Sequence, residues 1–170
     1  MLRLACSSDR PQAGSYMTDI DHAALAAQLR AYIVEHIPLA RTMELRVVRY
    51  DGTELEMAAP LAPNINDKGC AFGGSMASLM TLAGWGLVEL ALRARGIECD
   101  IYVGDSTIRY REPLFGELRA TARFAEADAL DGFLKTLAAR GKARIQVACA
   151  ISGGQQDAAT LEAAFVAKVH

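Results

Sequence analysis

The chain has 170 residues, 52% of them hydrophobic, which is the size of one domain with ample material for a core. Its 18 basic and 20 acidic residues leave a formal charge of −2, so no broad cationic surface for nucleic acid is expected. Cys6, Cys70, Cys99 and Cys149 are scattered without metal-ligand spacing, and the N-terminus lacks the apolar run of about 7–15 residues that export requires. A reduced, cytoplasmic protein without a metal site or a membrane role is the expectation.

Residues 1–17 are small, polar and aperiodic and read as an extraneous tail, so that a single domain occupies 18–170. From Thr18 or Asp19, either of which can cap a helix, Leu25, Leu29, Ile33 and Ile37 form one helical stripe that Pro38 should end. Two short strands, 45–50 and 54–57, flank the Asp51-Gly52 turn as a hairpin. The stretch 60–69 is dense in Pro, Asn, Asp and Gly and predicts a loop. A helix apolar on nearly all faces follows over 74–95, with Gly96 closing it. A helix of that kind is a membrane span or the buried centre of a fold, and Glu89, two internal glycines and the flanking strands favour the buried centre.

Beyond it the period changes to two. Strands are predicted over 101–111, over 117–124 with Leu118, Ala120, Ala122 and Phe124 inward, over 144–151 with Ile145, Val147, Cys149 and Ile151 inward, and over 161–169. These should be half-buried and antiparallel, with a short helical excursion at 131–140. The architecture is α+β: an N-terminal helix, then a long central helix wrapped by a curved antiparallel sheet of about six strands.

The segment Asn64-Ile65-Asn66-Asp67-Lys68-Gly69-Cys70-Ala71-Phe72-Gly73-Gly74-Ser75, with Thr81-Leu82-Ala83-Gly84-Trp85-Gly86 after it, resembles the YiiD C-terminal family of hot-dog proteins. Gly104-Asp105-Ser106-Thr107-Ile108-Arg109-Tyr110-Arg111-Glu112-Pro113 matches it too, and the resemblance runs from about Ile37 to the C-terminus. It implies a hot-dog fold, a homodimer or dimer of dimers with sites at subunit interfaces, and a thioester substrate carried on coenzyme A or on the phosphopantetheine of an acyl carrier protein, with no tightly bound cofactor. Members also resemble enzymes that decarboxylate malonyl-acyl carrier protein in fatty acid biosynthesis, with the second asparagine of the Asn-x-Asn loop, here Asn66, as the key polar residue.

On the residues themselves, Gly73-Gly74 before a helix offers unpaired backbone N–H groups and the positive dipole end, a setting for an oxyanion; equally, the glycines are what a helix start packed on a strand would need. Asn66, Gly74 and Ser75 are the catalytic candidates, with Asn64, Phe72, Gly73, Met76 and Asp105 lining the substrate. Ser75 also reads as a helix cap, Cys70 as a small packed residue, and Arg93, Arg95, Arg109 and Arg111 as partners for phosphates or an acidic carrier. The carboxylate that hydrolases of the His-Gly-Gly type carry seven residues after the motif is replaced by Thr81, and no histidine lies near the loop. Decarboxylation needs no base, only donors aimed at an enolate oxygen. Hydrolysis with Asp67 or Asp105 activating water, and a non-catalytic acyl-binding module, are the competing readings.

Overall fold

The computed structural model describes residues 20–169. The expected tail, the Thr18 and Asp19 caps, Cys6 and His170 lie outside the described residues. The first helix, α1 (His22–His36), is capped by Asp21, whose Oδ1 accepts from Ala24 N–H at 2.9 Å. Leu29 and Ile33 on its stripe are fully buried, and truncating either to Ala would cost about 2–5 kcal/mol. Pro38 does not simply end a helix: after a break at Ile37 it occupies the first turn of a second one, α2 (Pro38–Thr42), where its missing N–H has no cost.

The hairpin forms as β1 (Arg46–Tyr50) and β2 (Glu54–Ala59), with Asp51 holding the turn by accepting from Thr53 N–H and Glu54 N–H. Those two backbone bonds draw the Asp51 carboxyl well below its ordinary range. The central helix α3 (Gly73–Arg93) follows the loop. The remainder is β3 (Asp100–Tyr110), β4 (Leu118–Phe124), α4 (Ala129–Arg140), β5 (Lys142–Ser152) and β6 (Asp157–Lys168).

All six strands join in one antiparallel sheet of order β1-β2-β4-β5-β6-β3 that wraps α3. Although α3 is long and apolar enough to cross a membrane by length and composition, Leu79, Met80, Ala83, Leu87 and Leu90 are fully buried against the sheet, which makes it the core of the fold. Two glycines allow this closeness. A Cβ at Gly84 would stand 2.8 Å from the Phe165 ring, and one at Gly86 would stand 2.9 Å from Leu55 and Met57.

The inward residues of β4 and β5 are those the alternation predicted. The expectation of half-burial fails at β3, which is exposed along almost its whole length on both faces. It is an edge strand, paired with β6 on one side only, and where it meets the core only Ile101 and Ile108 are partly buried. Tyr102, Val103 and Tyr110 are all exposed there.

Candidate functional site

The segment between β2 and α3 opens with a 3₁₀ turn, Ala62–Asn64, and then folds on itself through a bridge between Ile65 and Ala71. Within that small hairpin Asn66 N–H donates to Cys70 C=O at 2.8 Å, and Gly69, at φ +80°, takes the left-handed turn that suits glycine. The Asn66 side chain organises the turn: its Oδ1 accepts from Lys68 N–H at 2.8 Å and from Cys70 N–H at 3.2 Å, while Nδ2 donates to Cys70 Sγ at 3.2 Å. With Oδ1 so occupied, the half-buried amide presents its nitrogen as the remaining donor.

Asn64 is expected to line the substrate, yet the structure turns it inward. It is 1% exposed and its Nδ2 donates to Met43 C=O at 3.0 Å and Pro60 C=O at 2.8 Å, which ties the loop to the α2–β1 corner. The backbone adds Phe72 N–H to Asn64 C=O at 2.7 Å and Ala71 N–H to Leu114 C=O at 2.8 Å. The loop is thus pinned on both sides just before α3 begins.

At the helix start Phe72 is the N-cap, and no side chain caps it. The first helical bond is Met76 N–H to Phe72 C=O at 3.0 Å, so the N–H groups of Gly73, Gly74 and Ser75 have no acceptor among the described residues. Ser75 is therefore a first-turn residue and not the cap. The ring of Phe72, half exposed, lies over Gly74: a Cβ there would run into the Cε1 edge, with Cζ only 2.9 Å away. Tyr110, whose individual role the sequence did not signal, comes across from the end of β3 and donates its hydroxyl to Gly73 C=O at 3.0 Å. Met76 is buried in the core behind this start.

The other candidates are placed elsewhere. Asp105 sits on the outer part of β3 and pairs with Arg144 at 2.9 Å; five residues along the strand, it lies roughly 17 Å from Tyr110, the strand residue that reaches the helix start. Asp67 is solvent-exposed and pairs with Lys68 at 3.0 Å. Arg93 pairs with Glu89 along α3, Arg95 donates to Ala91 C=O and Arg109 pairs with Glu162 at 3.6 Å. Cys70 is buried beside Asn66, consistent with a packing role. Among the described residues no group of three or more His, Cys, Asp or Glu is placed to hold a metal ion.

A long helix wrapped by an antiparallel sheet, with an uncapped glycine start beside a polar loop, defines a hot-dog protein of the thioesterase class. More narrowly, residues 26–169 match the family described as "Putative thioesterase (yiiD_Cterm)", and the chain belongs to that family. Two solved structures are each 28% identical to it. One, a protein of unknown function from Chlorobaculum tepidum, covers 89% of this chain and 98% of its own at a TM-score of 0.85. The other, a "putative thioesterase" from Shewanella oneidensis, covers 87% and 99% at 0.74. The PaaI protein of E. coli, from a phenylacetic acid degradation operon, shares the fold at 14% identity and a TM-score of 0.61, covering 88% of this chain and 96% of its own.

Proposed function

We propose that the chain decarboxylates a malonyl thioester, carried on acyl carrier protein or coenzyme A, to the acetyl thioester in the cytosol. The observation that carries this reading is a helix start with three free N–H groups, next to an asparagine whose amide nitrogen is the available half, in a loop whose acid, Asp67, is solvated and paired with Lys68. Donors are present there without a base. As the bond between C2 and the carboxylate breaks, its electron pair moves into the thioester as an enolate and carbon dioxide leaves. The Gly74 and Ser75 N–H groups with Asn66 Nδ2 hold the enolate oxygen, and water then protonates C2. The apolar cover given by Phe72 leaves the departing carboxylate poorly solvated.

A second copy of the chain completes the site in this reading, supported by the bare edge of β3, which ends beside the helix start. Hydrolysis is the second reading, favoured by the family's description. Incubation with malonyl and longer acyl thioesters on both carriers, followed by mass spectrometry, separates the two. An intact acetyl thioester is the expected product, whereas release of free thiol would replace decarboxylation by hydrolysis.

A further inference from the structure

We propose that Tyr110 is a positioning residue for the site: its hydroxyl, bonded to Gly73 C=O, aims the Gly74 N–H at the substrate oxygen. This rests on the thioester reading above and deepens it by assigning what makes the donors rigid. Two successive glycines in the first turn of α3 open the backbone to a ligand, but glycine also leaves a chain more conformational freedom than any other residue. No side chain caps this helix, so α3 itself supplies nothing that holds Gly73 and Gly74 from the N-terminal side. Donors serve a reaction best when they are fixed before charge develops, because donors that must first reorient stabilise it less.

The restraint comes from outside the helix. Tyr110 donates to Gly73 C=O at 3.0 Å, and its ring rests on the bare backbone of the same residue, where a Cβ would stand 3.4 Å from Cε1. Gly73 C=O and Gly74 N–H belong to one trans peptide plane and point in opposite directions. A hydroxyl that holds the oxygen therefore sets the direction of the N–H. Two peptides earlier Phe72 N–H donates to Asn64 C=O at 2.7 Å, so the helix start is held from the loop on one side and from β3 on the other.

The tether has a firm base. Tyr110 pairs with Ala159 in the sheet, and the next residue, Arg111, donates its N–H to Ala158 C=O at 2.8 Å. Ala158 and Ala159 are fully buried. The Tyr110 side chain is itself 53% exposed, so it fills no space in the core, yet its hydroxyl bond spans 37 residues of sequence to reach one backbone carbonyl. What it fixes is a single peptide of the site.

The test is Tyr110→Phe in the full chain, which keeps the ring and deletes the bond. On malonyl thioesters kcat should fall about tenfold with KM within about twofold, because the donors are misaimed while ground-state contacts remain. In 15N relaxation the order parameters of Gly74 and Ser75 should drop from about 0.85 toward about 0.6, while Leu87, further along α3, keeps its value. A kcat within about twofold of wild type, or a rise in KM alone, overturns the proposal. So does loosening that spreads along α3, which would make the bond a support for the fold and not for the site. Should the wild-type chain release free thiol, the same comparison of kcat and KM is made on hydrolysis, whose oxyanion calls on the same donors. Should it turn over no thioester, the reaction assigned above fails by itself and the relaxation data decide alone. Loosening confined to Gly74 and Ser75 then sustains Tyr110 as their restraint, and unchanged order parameters overturn it.

Discussion

The two halves of the Asn66 amide do different things. Oδ1 holds the turn through Lys68 N–H and Cys70 N–H, while Nδ2 donates to Cys70 Sγ and, in the proposed reaction, gives its second N–H to the thioester oxygen. The roles separate by substitution. Asn66→Asp keeps an oxygen for both backbone N–H groups but removes the donor and sets a negative charge where the enolate forms. Its kcat should fall about 10²–10³-fold with the melting temperature nearly unchanged. Asn66→Ala loses both roles, and should match that rate loss while also losing about 1 kcal/mol of stability by thermal melt. Wild-type turnover in Asn66→Asp would remove the amide from the mechanism. The sequence marks this loop clearly but does not divide labour within it. Asn64 and Asn66 are equally suited to turns, and what buries one of them is a pair of carbonyls, Met43 and Pro60, one of which lies 21 residues away. A contact at that separation leaves no local trace.

Among the elements, the central helix shows how packing overrides propensity. Replacing an interior helical glycine by alanine gains up to about 1 kcal/mol from backbone entropy alone. Gly132 in α4 has nothing within 4 Å of a would-be Cβ, and Gly132→Ala should raise stability by about that amount. Gly84 faces the Phe165 ring at 2.8 Å and Cys149 Sγ at 3.3 Å, so Gly84→Ala should instead lose about 1–2 kcal/mol net. Urea midpoints of the two variants should move in opposite directions, and a gain at Gly84 would mean that the helix and sheet can part at little cost. The elements legible in the sequence are those whose burial repeats regularly: β4 and β5 show one face to α3, and the alternation of Leu118, Ala120 and Ala122 or of Ile145, Val147 and Cys149 records it. The short helix α2 was hidden because Pro38 is both a stop for one helix and a start for the next. Exposure of β3 was hidden because alternation reports the pleat of a strand and not its rank in the sheet.

At the scale of the whole molecule, stability should depend on alkaline pH through Cys149. Burial pushes this thiol up to about 12 from its ordinary 9.0, and burial likewise raises the Tyr50 hydroxyl. An unfolded chain gives up the thiol proton first, so this contribution is complete below about pH 9 and is lost as pH rises toward about 12, by up to about 1.4 kcal/mol per unit. Urea midpoints measured from pH 8 to pH 11 should fall more steeply in the wild-type chain than in Cys149→Ala. Parallel slopes would show that the thiol ionises as freely in the fold as outside it.

The bare strand β3 has a further consequence once a second copy is taken to cover it. Eleven residues of edge carry backbone groups that only another strand or water can satisfy. If another strand does so, part of the folding free energy belongs to an encounter and obeys mass action. The melting temperature then rises with the logarithm of protein concentration, a dependence that a self-sufficient monomer lacks. In such a pair dilution would act as a denaturant, and the concentration of chain would help to set how much of it is folded.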